Sequence, residues 1–193
     1  MGTEAESAPA LLALLTGRRS QGGKHLGEPG PDAAQLDAMV DAALHAPDHG
    51  ELAPFRFAVV RGAARERLAA LFRDAALAAG KSEADALLDA ERAAQPPVTV
   101  ALVARIDLGH RLVPAHEQWI AVGAALANFV NAAHALGYAG KMLSGHKVRQ
   151  PALQAAFCAP GETLVGWIVL GRATRPAAAR PPKAGARERW SDW

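Results

Sequence analysis

Prolines and glycines cut the middle of this 193-residue chain into short segments of changing periodicity, and the order of those segments decides the fold class. Pro47 ends a helical run, and Phe55–Val60, rich in aromatic and β-branched residues, reads as a strand. A helix follows with Leu68, Leu71, Phe72 and Ala75 on one face, and Gly80 breaks it. Ser82 starts another helix, with Asp85 three residues on as a variant capping box. Pro96 and Pro97 then precede a second strand, Val98–Ala104. Strand, helix, helix, strand is not the regular alternation that builds a doubly wound parallel sheet.

The flanks agree. Residues 9–17 form a predicted helix with Leu11, Leu12, Leu14 and Leu15 on one side and Gly17 as its stop. Pro29-Gly30-Pro31 is a turn, after which Asp32 caps a helix carrying Leu36, Met39, Val40, Ala43 and Leu44 at helical spacing. A long helix is predicted from about Pro114 to Leu136, its apolar face made of Trp119, Ile120, Gly123, Leu126, Ala127 and Val130. Gly123, Ala124 and Ala125 leave room for another helix to approach closely. Gly137–Gly145 is a glycine-punctuated loop with a short strand, followed by a short helix near 149–157 and the strand Thr163–Leu170. The expectation is an α+β domain with a small sheet packed by helices, a single domain over 1–193.

Composition excludes several classes. A net charge of +2 is too small to argue for nucleic acid, and no apolar run reaches membrane-spanning length. The basic excess is local: from residue 172 onward six Arg and Lys face two acidic residues. A stretch such as ARPPKAGAR builds no core; it reads either as a solvated tail or, with Trp190 and Trp193, as an arm that docks on a partner subunit. The single cysteine, Cys158, excludes an internal disulfide and fits a reducing compartment. The N-terminal MGTEAESAP lacks a basic n-region, so the expected location is cytoplasmic.

Arg18-Arg19-Ser20 offers two guanidinium forks and a hydroxyl, a set suited to a phosphate. The same residues suit a helix C-terminus, which favours cations through its macrodipole; taken alone, that reading comes first. His45, Asp48 and His49 flank Pro47, but no fourth ligand accompanies them and no HExxH exists, so no metal is expected. GYAGKMLSG at 137–145 fails as a Walker A loop, since Met142 follows Lys141 where Ser or Thr is needed. There is no GxGxxG after a strand and no GxSxG.

RRS after a short N-terminal helix, APDH and PFRF about 25 residues on, AAHALGYAG at 132–140, Ser144-Gly145 and VGWIVLG at 165–171 together resemble the flavin-dependent nitroreductase family, in its minimal single-domain, YdjA-like branch. The resemblance spans about residues 10–172, leaving 173–193 as a C-terminal arm. It implies a small mixed, mainly antiparallel sheet and an intertwined homodimer with FMN at the interface. Carried over, Arg18, Arg19 and Ser20 hold the phosphate and ribityl end, His45 and His49 reach the flavin from the other subunit, and Met142, Leu143 and Ser144 line the isoalloxazine. The branch has Trp-Arg-Ser-Gly where this chain has Met142-Leu143-Ser144-Gly145, which removes a cation for which Lys141 and Lys147 are nearby candidates. Ala53-Pro54-Phe55-Arg56 likewise replaces Gln-Pro-Trp-Arg.

The implied activity is an NAD(P)H oxidoreductase, a nitroreductase. Hydride from NADH or NADPH passes by way of FMN N5 to a nitroaromatic, quinone or similar small-molecule acceptor in a ping-pong sequence. Hydride transfer needs no side-chain acid or base, so no catalytic residue is expected. The alternative is a flavin-binding or flavin-sequestering dimer with little or no turnover.

Overall fold

A computed structural model describes residues 4–179 and 185–193; Arg180 and Lys183 of the predicted arm lie outside the described residues. The elements run α1 (Glu4–Gly17), β1 (Leu26–Gly27), α2 (Ala33–Leu44), β2 (Phe55–Arg61), α3 (Ala64–Ala78), α4 (Glu83–Ala94), β3 (Val98–Ala104), α5 (Ala115–Ala135), β4 (Ala139–Leu143), α6 (Pro151–Phe157) and β5 (Thr163–Ala173). The strand order is β1-β5-β3-β2, with β4 also paired to β5. Every strand pair is antiparallel, and one parallel bridge joins Ser20 to Gly140.

All seven residues of β3 are buried, as a run that is apolar except for Thr99 allows in a strand covered on both faces. On one face Val98, Val100, Ile168 and Leu170 pack against Met39 of α2 and Ala125 and Phe129 of α5. On the other, Ala101, Val103 and Trp167 meet Ala75 of α3 and Leu153 of α6. Beyond Leu102 the β3–β5 register shifts, leaving Val165 as an extra residue on β5. Ser144 Oγ donates to the Val165 carbonyl at 2.9 Å.

The predicted caps hold in different degrees. Asp32 and Gln35 close a full capping box, with Asp32 Oδ1 accepting from Gln35 N–H and Gln35 Oε1 from Asp32 N–H. At α4, Ser82 Oγ accepts from Asp85 N–H, but the return bond runs from the Ser82 hydroxyl to Asp85 Oδ2. An aspartate is one methylene shorter than the usual glutamate, too short to reach back to the cap's own N–H. The helix predicted at 9–17 begins earlier, at Glu4, and the leucines Leu11, Leu12 and Leu15 are exposed.

The predicted face of α5 is corrected. The buried residues are Gln118, Ala121, Val122, Ala125, Phe129 and Ala133, while Trp119 is 41% and Ile120 64% exposed. A helix apolar almost all round gives periodicity nothing to choose between. Packing chooses the side where alanines allow close approach and Phe129 stacks on Phe57 at 4.6 Å between ring centroids. Gln118 tolerates burial because its amide is fully used: Oε1 accepts from Asp107 N–H, and Nε2 donates to the Asp107 and Val113 carbonyls.

Candidate cofactor site

The site forms around β4. The chain leaving α1 runs alongside this strand: Ser20 bridges Gly140, and Gln21 N–H donates to the Gly140 carbonyl at 3.0 Å. Gly140 is required there, because a Cβ would collide with the carbonyl oxygen of Val169 on β5.

Arg18, Ser20, Lys141 and Met142 line one recess of about 230 Å³ with Gly123, Leu126, Ala127 and Val130 of α5. No carboxylate lines it. Among the described residues the side chains of Arg18, Ser20 and Lys141 make no hydrogen bond or ion pair within the chain, unlike Arg19. The Arg19 guanidinium turns back on α1 and donates to the carbonyls of Thr16 at 2.6 Å and Arg18 at 3.1 Å. The two readings of the basic pair therefore divide between its members: Arg19 caps a helix end, and Arg18 faces the recess.

Leu143 and Ser144 line a second recess of about 260 Å³, walled by Leu68, Phe72, Asp89, Arg92, Lys147 and Trp167 among others. The predicted ring-lining trio is thus split: Met142 pairs with Ile168 on the α5 side of the sheet, while Leu143 pairs with Trp167 on the α3 side, because successive strand residues point to opposite faces, and Ser144 follows just beyond the strand. The two recesses therefore open on opposite faces of the sheet, the first on the α5 side and the second on the α3 and α4 side.

Sequence reasoning missed Asp89 and Arg92, and it named Lys147 only as a candidate replacement cation. Asp89 is almost fully buried, with Lys147 Nζ 2.8 Å from Oδ1 and Lys81 Nζ 2.8 Å from Oδ2. Burial works against its charge, but the two ammonium groups outweigh this and hold the carboxyl below the usual range. The available signal was a carboxylate on the same buried side of α4 as Ala86.

The histidines stand elsewhere. His45 Nδ1 donates to the Asp41 carbonyl at 2.8 Å, closing the end of α2, and His49 Nδ1 donates to Glu117 Oε2 at 2.7 Å. Glu117 is in the first turn of α5, whereas the Arg18 recess meets that helix at Gly123–Val130. Within one chain, His49 and Arg18 therefore sit against different stretches of the same helix. Cys158 is partly buried, and burial raises its thiol pKa, which does not suit a nucleophile. Trp190 and Trp193 are exposed, Trp190 beneath the Arg187 guanidinium. Among the described residues no cluster could hold a metal ion, and no helix is long and apolar enough to cross a membrane.

The nitroreductase family model matches residues 15–172. The chain belongs to the nitroreductase family. It is 36% identical over 163 residues to YdjA of Escherichia coli strain K12, by name a candidate NAD(P)H nitroreductase, covering 83% of this chain and 86% of that one. A similarly named Haemophilus influenzae protein is 35% identical over 162 residues, with the same coverage of 83% and 86%. The fold matches a nitroreductase-like family protein from Bacillus cereus at TM-score 0.80 and 18% identity, covering 95% of both chains. It also matches the FMN-dependent nitroreductase NfnB from Mycobacterium smegmatis in complex with NADPH, at TM-score 0.74 and 20% identity over 96% of this chain and 99% of that one. A Desulfovibrio desulfuricans nitroreductase-type protein in complex with FMN aligns at TM-score 0.69 and 20% identity, over 95% of this chain and 96% of that one.

Proposed function

We propose that this nitroreductase-family chain is an FMN-dependent NAD(P)H oxidoreductase working as a homodimer, with FMN at the subunit interface. One observation carries the reading. Arg18 and Ser20, each without a side-chain partner within the described chain, line one recess that no carboxylate lines. A guanidinium and a hydroxyl form a donor set for a phosphate. Leu126, Ala127, Val130 and Met142 give the same recess an apolar wall. The M. smegmatis and D. desulfuricans relatives, described with NADPH and FMN, support the same assignment.

When bound, FMN supplies the redox chemistry: it takes hydride from NADH or NADPH and passes it to a nitroaromatic, quinone or similar acceptor in a ping-pong sequence. The chain's own residues bind and orient. Arg18 and Ser20 hold the phosphate; Met142, Leu143 and Ser144 flank the ring, and the bond from Ser144 to the Val165 carbonyl fixes the loop that presents them. Arg19 supports the turn that aims Arg18.

The exposed side of α5, with Trp119 and Ile120, is continuous with Gly123, Leu126 and Ala127 of the recess wall. A second copy seated on this side would cover apolar surface and exclude water from the site. It would bring its own His45 and His49 to the flavin, consistent with their separation from Arg18 within one chain. In this reading the chain is one domain, residues 173–193 are an arm on the partner, and a single free thiol fits a cytoplasmic setting.

The test is to purify the protein, reconstitute it with FMN, and add NADH or NADPH without oxygen. Bleaching of the flavin band, reversed by a nitroaromatic or quinone, is the expected result. Bound flavin that neither nicotinamide bleaches supports a flavin-sequestering dimer, and failure to bind FMN overturns both.

A further inference from the structure

The recess on the α3 and α4 side of the sheet is separate from the one lined by Arg18 and Ser20. Its floor spans three strands: Thr99 of β3 pairs with Val169 of β5, and Leu143 of β4 pairs with Trp167 of β5. Leu68 and Phe72, one turn apart on α3, form an apolar wall. Asp89, Arg92 and Ala93 share the side of α4 that closes the recess. Two polar groups here are unspent. Thr99 is 3% exposed and its neighbours Val98 and Val100 pack on the α5 side, yet its hydroxyl makes no hydrogen bond among the described residues. The exposed Arg92 guanidinium likewise has no hydrogen bond or ion pair among them. Lys147, by contrast, is committed: its Nζ is 2.8 Å from Asp89 Oδ1.

We propose that this recess is a second small-molecule site, independent of the flavin, built for an aromatic monocarboxylate with a polar substituent on its far ring. A volume of about 260 Å³ lies just below the ~300–1,000 Å³ usual for ligand pockets, so the occupant has one or two rings. Phe72 and Trp167, edge to face at 5.0 Å between centroids, offer aromatic surface to a flat body. Charge selects the head group. Asp89, the one carboxylate lining the recess, is matched by Lys147 and Lys81, so Arg92 is left to attract an anion. A guanidinium takes a carboxylate through two parallel hydrogen bonds. Arg92 is exposed and stands at the mouth, so the carboxylate lies outward and the rings reach the floor. There the Thr99 hydroxyl, buried in a strand that is otherwise apolar, pairs with the polar substituent.

The test is isothermal titration with three probes: β-naphthoate, its analogue hydroxylated on the far ring, and the neutral β-naphthamide. Each is added to FMN-loaded and to flavin-free protein, and the flavin band is followed by absorbance. The hydroxylated naphthoate should bind saturably below about 1 mM, equally with and without FMN, and leave the flavin band unmoved. Arg92→Met, a change at an exposed side chain, should weaken both naphthoates about ten- to hundredfold, and the naphthamide should bind wild-type protein as weakly. Thr99→Val, which keeps the shape and removes the hydroxyl, should weaken the hydroxylated probe about three- to tenfold and β-naphthoate less than about twofold. No saturable binding overturns the proposal, as does wild-type affinity for the naphthoates in Arg92→Met. Naphthoates that displace FMN or shift its band place themselves at the flavin and overturn it too. Equal losses for both naphthoates in Thr99→Val overturn the role of Thr99. Protein that takes up no FMN, yet binds naphthoate through Arg92, overturns the flavin reading alone.

Discussion

Arg56 at the start of β2 and Glu162 just before β5 form a two-pronged ion pair, with Nε donating to Oε1 at 2.7 Å and Nη2 donating to Oε2. Nη2 also donates to the Phe157 carbonyl, and Glu162 Oε2 accepts from Ala159 N–H. One arginine thus ties the edge strand β2 to the loop between α6 and β5. These bonds, led by the one from Arg56, hold the Glu162 carboxyl at about 2, below its ordinary 4.5.

A carboxylate depressed in the folded state stabilises the fold above its unfolded pKa, and the gain is lost as pH falls through the folded value. Stability should therefore decline between about pH 4.5 and pH 2, with Asp89 adding to the loss because its carboxyl is also depressed. Glu162→Gln should flatten part of that decline and cost about 1–2 kcal/mol at neutral pH. Urea denaturation across the acid range checks both; an unchanged acid profile would contradict the assignment.

Phe129 has no exposed surface and stacks on Phe57, so Phe129→Ala should cost about 3–5 kcal/mol. Trp119→Ala, on the exposed side of the same helix, should cost the isolated fold about 0.5 kcal/mol or less. Chemical denaturation under monomeric conditions separates them. Equal costs would mean that α5 faces the core differently.

If the exposed side of α5 is the dimer face, Ile120→Glu should convert the protein to monomer by sedimentation equilibrium and weaken FMN binding with it. A charge buried unpaired at such an interface costs several kcal/mol. A variant that remains dimeric with wild-type FMN affinity would place the interface elsewhere.

Much of this architecture was legible in the chain. Pro96 and Pro97 mark the start of β3, Asp32 caps α2, and the spacing of Leu68, Leu71 and Ala75 gives α3. The side of α5 that packs was not legible, since alanines and large apolar residues occur all round it and tertiary fit alone selects Phe129 over Trp119. β1, two residues long, carries no pattern to detect. In the site, Arg18, Ser20 and Met142 line one recess, whereas the resemblance put Met142 at the ring end with Leu143 and Ser144. Asp89 and Lys147 could not be joined from sequence, because they are far apart in the chain and only the packing of α4 against the segment after β4 makes them neighbours.

The central claim is that Arg18 faces a phosphate, and a comparison of FMN with riboflavin, which lacks the phosphate, tests it most directly. Dissociation constants of both are measured by flavin fluorescence for the wild type and Arg18→Ala. Wild-type protein should prefer FMN strongly, and Arg18→Ala should lose about 2–4 kcal/mol of FMN binding with little change for riboflavin, erasing most of that preference. Equal losses for both flavins, or an undiminished preference for FMN in Arg18→Ala, would contradict the account.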